Sequence, residues 1–322
     1  MKKIIIIVGG DPNSINSEII YKTWNKLNKE LKKKTYIIAN HNLIRDQFKK
    51  LNYSLNVVKT KDLNVNNSSI KLKIIDIPLN FKNPFNVSAK NSSKYVKKSL
   101  SLAHKLAKNK WVLGLINCPI NKILLNKSGK IGVTEFLSNK CGIKNRSEVM
   151  MIFNKKLSVV PLTTHIDIKE VSKNINRNII LKKIFTLNDH YKKYFNKKPK
   201  LGILGLNPHN AEFRKNSEEI KKIIPAIKKL KKKGVSITGP ISTDTAFMNV
   251  SKSFDVIIGM YHDQVLAPFK TLFNFDAINI TLGLKYIRVS PDHGPAIDII
   301  LKKKANFLSL LKCVKFINSL NK

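Results

Sequence analysis

Short apolar runs alternate along this chain with longer amphipathic stretches rich in lysine, and that alternation predicts its elements. Runs such as Ile4-Ile5-Ile6-Ile7-Val8 and Val256-Ile257-Ile258 have the length and β-branched composition of strands buried on both faces. Strands are expected over 4–8, 35–38, 70–77, 111–116, 157–162, 200–204, 236–238, 255–259 and 277–281. Apolar positions spaced three and four apart predict helices such as those over 17–32, 89–109, 175–195 and 218–233. Strands that alternate with helices make βαβ units and a mainly parallel sheet. No internal repeat and no low-complexity linker interrupts the pattern, so domain boundaries must come from motifs.

Composition adds bounds. The 322 residues suffice for two domains or one large α/β unit, and 43% hydrophobic with 25% charged content is ordinary for a globular protein. The formal charge of +40 is not ordinary, and points toward nucleic acid, an anionic membrane surface or an acidic substrate. The lysines, however, are spread along the chain among Ile and Asn. Their densest run, Lys228-Lys229-Leu230-Lys231-Lys232-Lys233, follows an apolar stretch and precedes Gly234, as at an exposed helix end where cations suit the macrodipole. No arginine-rich patch with interleaved aromatics occurs, so a nucleic-acid reading rests on charge alone.

Cys118, Cys141 and Cys313 have no metal or redox spacing, and their odd number argues against a disulfide scaffold and fits a reducing compartment. The apolar run at 4–8 is too short for a signal peptide and meets Gly9-Gly10-Asp11-Pro12 at once. No apolar run is long enough to span a bilayer. The expectation is a soluble cytoplasmic protein with no membrane partner.

The ends of three predicted strands carry the candidate chemistry. LSVVPLTTH closes on His165, KLGILGLNPH on His209 and DVIIGMYH on His262. Carboxyl ends of strands in an open α/β sheet line the edge where ligands bind. A histidine there is ordinarily solvated structure, but three at equivalent places make a candidate divalent-metal site. Acidic residues are scarce, yet Asp244 in GPISTDTAF, Asp263 after His262, Asp292 before His293 and Glu135 in GVTEFL fall in polar clusters. Lys122, Lys270 and Arg288 lie in such clusters too. A metal beside such cations suits a phosphorylated hydroxy acid, with the ion acidifying a hydroxyl and the cations clamping phosphate and carboxylate.

The segments GDPNSINSEI, CPINK, GVTEFL, THIDIKEV, LGLNPHNAE, GPISTDTAF, YHDQVLAPFK, AINITLGL and IRVSPDHGPAID carry a resemblance over nearly the whole chain. In order and spacing they resemble the 4-hydroxythreonine-4-phosphate dehydrogenase family of pyridoxal phosphate biosynthesis. The resemblance implies an isocitrate/isopropylmalate dehydrogenase-like fold of two α/β/α subdomains with a cleft between them. Residues 1–128 plus 272–322 would form the cofactor side, and 129–271 the subdomain with the metal ligands and dimer interface. It implies NAD- or NADP-linked oxidation of 4-hydroxythreonine 4-phosphate to a β-keto acid that decarboxylates to 3-amino-2-oxopropyl phosphate. The implied metal (zinc, magnesium or cobalt) is held by His165, His209 and His262, with ligands drawn from both subunits of a homodimer that shares its active sites.

Implied substrate contacts are Thr134, Lys270, Asn279 and Arg288. Asp244 and Lys270 are the candidate catalytic residues, Asp244 for proton abstraction or for orienting the site. No G-x-G-x-x-G follows any strand, so a Rossmann fingerprint is absent. Asp292-His293-Gly294 resembles the adenosine-side loop of the related dehydrogenases, though by itself it reads as a tight turn.

The chain departs from the family pattern in four places. Val133 stands where the family has histidine, and Asn13-Ser14 and Asn16-Ser17 replace glycines of the first loop. A glycine-rich run is replaced by Asn210-Ala211-Glu212-Phe213-Arg214, and Pro295 replaces a threonine. Alternative readings are a dehydrogenase of another phosphorylated hydroxy acid, such as a phosphorylated threonate, or a nonredox metal-dependent lyase or hydrolase.

Overall fold

The computed structural model describes residues 3–126, 132–143, 147–248 and 253–320. The chain forms two compact units: Met1–Cys141 with Leu284–Lys322, and Gly142–Gly283.

The first unit holds β1 (Ile4–Val8), β2 (Thr35–Ala39), β3 (Val57–Thr60), β4 (Leu72–Asp76), β5 (Val112–Asn117) and the last strand of the chain, β12 (Arg288–Pro291). They lie in the order β3-β4-β2-β1-β5-β12, and every pairing is parallel. All five β1 side chains are buried, at about 1.5–3 kcal/mol each by transfer. Its helices are α1 (Asn16–Lys26), α2 (Lys29–Lys34), α3 (His41–Lys50), α4 (Ala89–Ala107), α5 (Val133–Lys140) and the final helix, α10 (Leu308–Ser319). The strand order reverses at β1, with β2 on one side and β5 on the other. Such a reversal opens a crevice beyond the strands' carboxyl ends.

A lysine is built into this core. Lys73 of β4 is fully buried, and its Nζ donates to the carbonyls of Lys32 (2.8 Å), Lys33 (2.9 Å) and Ser69 (3.0 Å). Two of those carbonyls belong to the last turn of α2, where intrahelical donors run out, although the capping Thr35 N–H also donates to Lys32 O. Burial lowers the Lys73 amine to about 8.

The second unit holds β6 (Val149–Phe153), β7 (Ser158–Pro161), β8 (Leu201–Leu204), β9 (Ile237–Ile241), β10 (Val256–Gly259) and β11 (Ile278–Leu282), in the order β11-β6-β7-β10-β8-β9. β6 runs antiparallel to both β7 and β11, whereas β7, β10, β8 and β9 pair in parallel. The helices are α6 (Ile168–Asn174), α7 (Arg177–Phe195), α8 (Ile224–Lys232) and α9 (His262–Phe273). Val265, Leu266 and Phe269 of α9 pack onto Ile152, Val159, Leu204 and Ile257 of the sheet.

Three strands were not expected. β3 is a half-exposed edge, β12 is short and opens on an arginine, and β6 is the methionine-containing VMMIF. The helix expected over 17–32 is two helices. Leu27 is extended, and Asn28 restarts the chain by accepting from the Leu31 N–H at 2.9 Å. The helix expected over 218–233 begins with a π-helical turn, Glu219–Ile223, before α8. Among the described residues, no helix is long and apolar enough to cross a membrane.

Candidate functional site

The strands that end in the three histidines are neighbours. β10 lies between β7 and β8, parallel to both, so His165, His262 and His209 leave one sheet edge in that spatial order. The β7–β10 ladder continues past the strands through Leu162 N to Gly259 O (2.8 Å) and Thr163 N to Met260 O (3.1 Å). That extension carries the rings of His165 and His262 to 5.6 Å between centroids. Each centroid stands roughly 3 Å from an ion bound through nitrogen, so two ligands of one ion come about 5–6 Å apart. This imidazole pair fits a divalent metal. His262 Nδ1 also lies 2.6 Å from Asp263 Oδ1, the outer carboxylate that commonly fixes a ligating imidazole. Among the described residues, no three His, Cys, Asp or Glu side chains are gathered as a complete ligand set.

His209 leaves β8 through a tightly held segment. Glu219, fully buried in the π-helical turn, accepts from the N–H groups of Leu206 (2.8 Å) and Asn207 (2.9 Å) and from Asn207 Nδ2 (3.1 Å). Burial pushes the Glu219 carboxyl up, but these donors outweigh it and hold it below the usual range. The backbone then turns left-handed for five residues, His209 (φ 47°), Asn210 (56°), Ala211 (55°), Glu212 (44°) and Phe213 (54°). Four of these occupy the stretch where the family resemblance expects a glycine-rich run, and L-residues there cost about 1–2 kcal/mol each. Asp244 lies on the exposed loop after β9. The Ser242 hydroxyl lowers its pKa most, and the Thr245 N–H and the nearby His209 lower it further.

Lys270 is two turns along α9 from His262, about 12 Å by helical rise, so it does not join the histidines. Its Nζ stands 5.2 Å over the Phe275 ring. Asn279 of β11 pairs opposite Ile152, and therefore faces the side of the sheet that α9 covers. Its Oδ1 is buried with no hydrogen-bond partner. An orphaned acceptor of this kind is expected where a ligand supplies the donor.

In the first unit, Arg288 and Thr134 are brought together. Arg288, 3% exposed, donates from Nε to Asn117 Oδ1 (2.7 Å) and from Nη1 to Thr134 Oγ1 (3.3 Å). Burial lowers the guanidinium to about 10, so it stays charged at neutral pH. In the same unit, Asp11 accepts from the N–H groups of Asn13 (2.9 Å) and Asn121 (3.3 Å), tying the loop after β1 to the loop after β5. Burial raises its pKa. Of the residues that replace glycines in the first loop, Asn16 adds to this closure, while Ser14 and Asn13 bond within the loop and to the segment before α4. Asn16 Nδ2 donates to Pro119 O (2.8 Å), Ser14 Oγ to Asp11 O (2.6 Å) and Asn13 Nδ2 to Val87 O (2.8 Å). Lys122, lowered by burial, opens a short 3₁₀ turn in the second loop. Asp292 and His293 are half-buried and Gly294 is exposed. The Asp292 N–H donates to Ser309 Oγ (3.0 Å), and no atom would crowd a side chain at Gly294.

Asp11, Asn117 and Glu219 were not foreseen as site residues, although Asp11 sits inside a quoted motif. Each acts on backbone or on another side chain, which leaves no periodic signal.

Two α/β units, each presenting polar and charged groups at strand ends, define a ligand-handling enzyme architecture. The solved 4-hydroxythreonine-4-phosphate dehydrogenase of Klebsiella pneumoniae has this fold, with TM-score 0.85 over 99% of this chain and 100% of that one at 27% identity. The family model described as pyridoxal phosphate biosynthetic protein PdxA matches residues 30–317, and the chain belongs to that family. It is 38% identical over 320 residues, 98% of this chain and 97% of the relative, to the 4-hydroxythreonine-4-phosphate dehydrogenase of Sulfurihydrogenibium sp. (strain YO3AOP1). Identity to the enzyme of that name from Aquifex aeolicus (strain VF5) is 43% over 210 residues, 64% of this chain and 65% of that one, just under two thirds of the relative's length.

Proposed function

We propose that this protein is an NAD- or NADP-linked dehydrogenase of 4-hydroxythreonine 4-phosphate in pyridoxal phosphate biosynthesis. The product is a β-keto acid that loses CO2 to leave 3-amino-2-oxopropyl phosphate. The observation that carries the reading is the side-by-side placement of the three histidine-bearing strands, in a chain of this family.

His165, His209 and His262 would hold a divalent ion (zinc, magnesium or cobalt), which supplies Lewis acidity toward the hydroxyl being oxidised. The nicotinamide supplies the hydride acceptor, with Asp292-His293-Gly294 as the proposed adenosine-side contact. Asp263 holds His262 Nδ1 and leaves Nε2 as the ligating nitrogen. Asp244, with its pKa depressed, is ionised at neutral pH and a weak proton acceptor, so it serves better to orient and charge-balance His209 than to abstract a proton. In the first unit Asn117 fixes the guanidinium plane of Arg288, which with Thr134 would bind an anionic group of the substrate. In the second unit Lys270 would hold another anionic group, and Asn279 Oδ1 would accept from a substrate donor.

We further propose a homodimer whose copies complete each other's sites. Mixing two inactive ligand variants should then restore part of the activity.

The decisive experiment follows NAD(P)+ reduction with 4-hydroxythreonine 4-phosphate, with and without chelator. Substrate-dependent reduction abolished by chelation is expected, and no reduction by metal-loaded protein would refute the reading. Val133, the first residue of α5 beside Thr134, favours a second reading in which the substrate is another phosphorylated hydroxy acid. Val133→His separates the two, improving kcat/KM on 4-hydroxythreonine 4-phosphate under the first and impairing activity on the true substrate under the second.

A further inference from the structure

We infer that Gln264, which has no role in the chemistry above, is the positioning residue that locks together the three segments carrying His262, His209 and Asp244. Its side-chain amide is buried, 6% exposed overall, and makes three hydrogen bonds. Oε1 accepts from the Met260 N–H at 2.6 Å. Nε2 donates to the Gly205 carbonyl at 2.7 Å and to Thr243 Oγ1 at 2.9 Å. Met260 is the residue after β10, two before His262. Gly205 is the residue after β8, four before His209. Thr243 adjoins Asp244. One planar group therefore ties two adjacent strand ends and the loop after β9 to the first turn of α9.

Only a carboxamide satisfies the set, because it must accept at one atom and donate twice at the other. A glutamate keeps the acceptor and loses both donors, and an apolar side chain loses everything. The end of β10 is shaped for this side chain. A Cβ at Gly259 would stand 2.9 Å from Gln264 Oε1 and 2.6 Å from Val265 Cγ1. Glu219 holds the next two peptide groups of the same segment, at Leu206 and Asn207. The segment before His209 is thus fixed by Glu219 from its own helix and by Gln264 from the helix of His262. The Gly205 N–H also donates to Ile241 O (3.1 Å) at the end of β9, and Gln264 bonds to all three segments at once.

The consequence for metal binding rests on the metal reading above, so the test uses two readouts. Gln264→Leu, Gln264→Glu and Leu266→Ala are prepared without metal, the last being a core truncation on the same helix. In the Gln264→Leu and Gln264→Glu variants, peptides covering 205–209 and 242–248 should exchange amide hydrogens severalfold faster, and together. Leu266→Ala should not single out those two segments. Cobalt(II) is then titrated by visible absorption. Gln264→Leu should bind it at least about tenfold more weakly, the loss typical of a supporting shell, while Leu266→Ala stays within about twofold of the unaltered protein. Exchange that rises in only one segment, or equally in the Leu266→Ala control, overturns the positioning role. So does unchanged cobalt affinity in Gln264→Leu. If the unaltered protein binds no cobalt but the paired exchange response appears, the metal reading fails and the positioning role stands.

Discussion

The imidazoles of His165 and His262 lie 5.6 Å apart because the parallel ladder between β7 and β10 runs on through Leu162 and Thr163. This pairing is backbone-defined, so substituting one ring leaves the other in place. The purified protein should retain a divalent ion by elemental analysis. His262→Ala should weaken its affinity by more than about tenfold in chelator competition, since losing even a supporting contact costs about that much. Undiminished metal content in that variant would remove His262 from the site.

Arg288 donates from Nε to Asn117 Oδ1 at 2.7 Å. Asn117→Leu leaves that N–H facing an apolar group at a site 3% exposed. A hydrogen bond to a charged group contributes about 1.5–3 kcal/mol, so kcat/KM should fall roughly ten- to a hundredfold through loss of alignment. Steady-state kinetics with saturating metal checks this. An unchanged value would separate Arg288 orientation from catalysis.

Lys73 makes stability depend on alkaline pH. Its folded-state value is lowered by burial from 10.5 to about 8, so between those values the unfolded chain binds more protons than the folded one. Stability contributed at this residue is therefore depressed below about pH 8 and rises as pH climbs toward 10.5. Urea unfolding of the unaltered protein and Lys73→Met should show their difference shifting in favour of the lysine across that window. A constant difference would show that Lys73 does not titrate there.

The left-handed turn after His209 is a reserve of strain. Glu212 is exposed, with φ 44°. Glu212→Gly should stabilise the protein by roughly 0.5–1 kcal/mol, the relief of a left-handed L-residue less the extra entropy of glycine in the unfolded chain. Thermal unfolding measures the shift. A loss of stability instead would mean that the Glu212 side chain holds the turn.

Strands such as β1 and β10 were legible because uninterrupted Ile and Val runs declare burial on both faces. The three histidines were legible because an apolar run that stops marks a strand end, and parallel neighbours bring their ends to one edge. β12 was not legible. A four-residue strand that opens on Arg288 looks like surface, and its burial depends on Asn117 and Thr134 reaching it from distant segments. β6 turns back on β7 through residues 154–157, but its other antiparallel partner, β11, lies far along the chain, and that non-local pairing leaves no local mark. The turn at Asn210–Phe213 lacks the glycines that ordinarily announce positive φ. Gln264 stood in view within YHDQVLAPFK, but a side chain that serves three backbone segments has no period to betray it.

The first unit is interrupted, and this sets an order on the ribosome. Its β5 receives its outer neighbour, β12, only after all of Gly142–Gly283 has been made. The unit begun first is the one completed last. Until Arg288–Pro291 emerges, one edge of its sheet has open amide and carbonyl groups, while the histidine-bearing unit already has all its strands. A nascent chain stalled shortly after Gly283 would carry a finished histidine-bearing edge in one unit and an unclosed sheet in the other. The segment from β12 to α10 is thus the last part of the first unit to arrive, and the one whose loss to premature termination would leave that edge open.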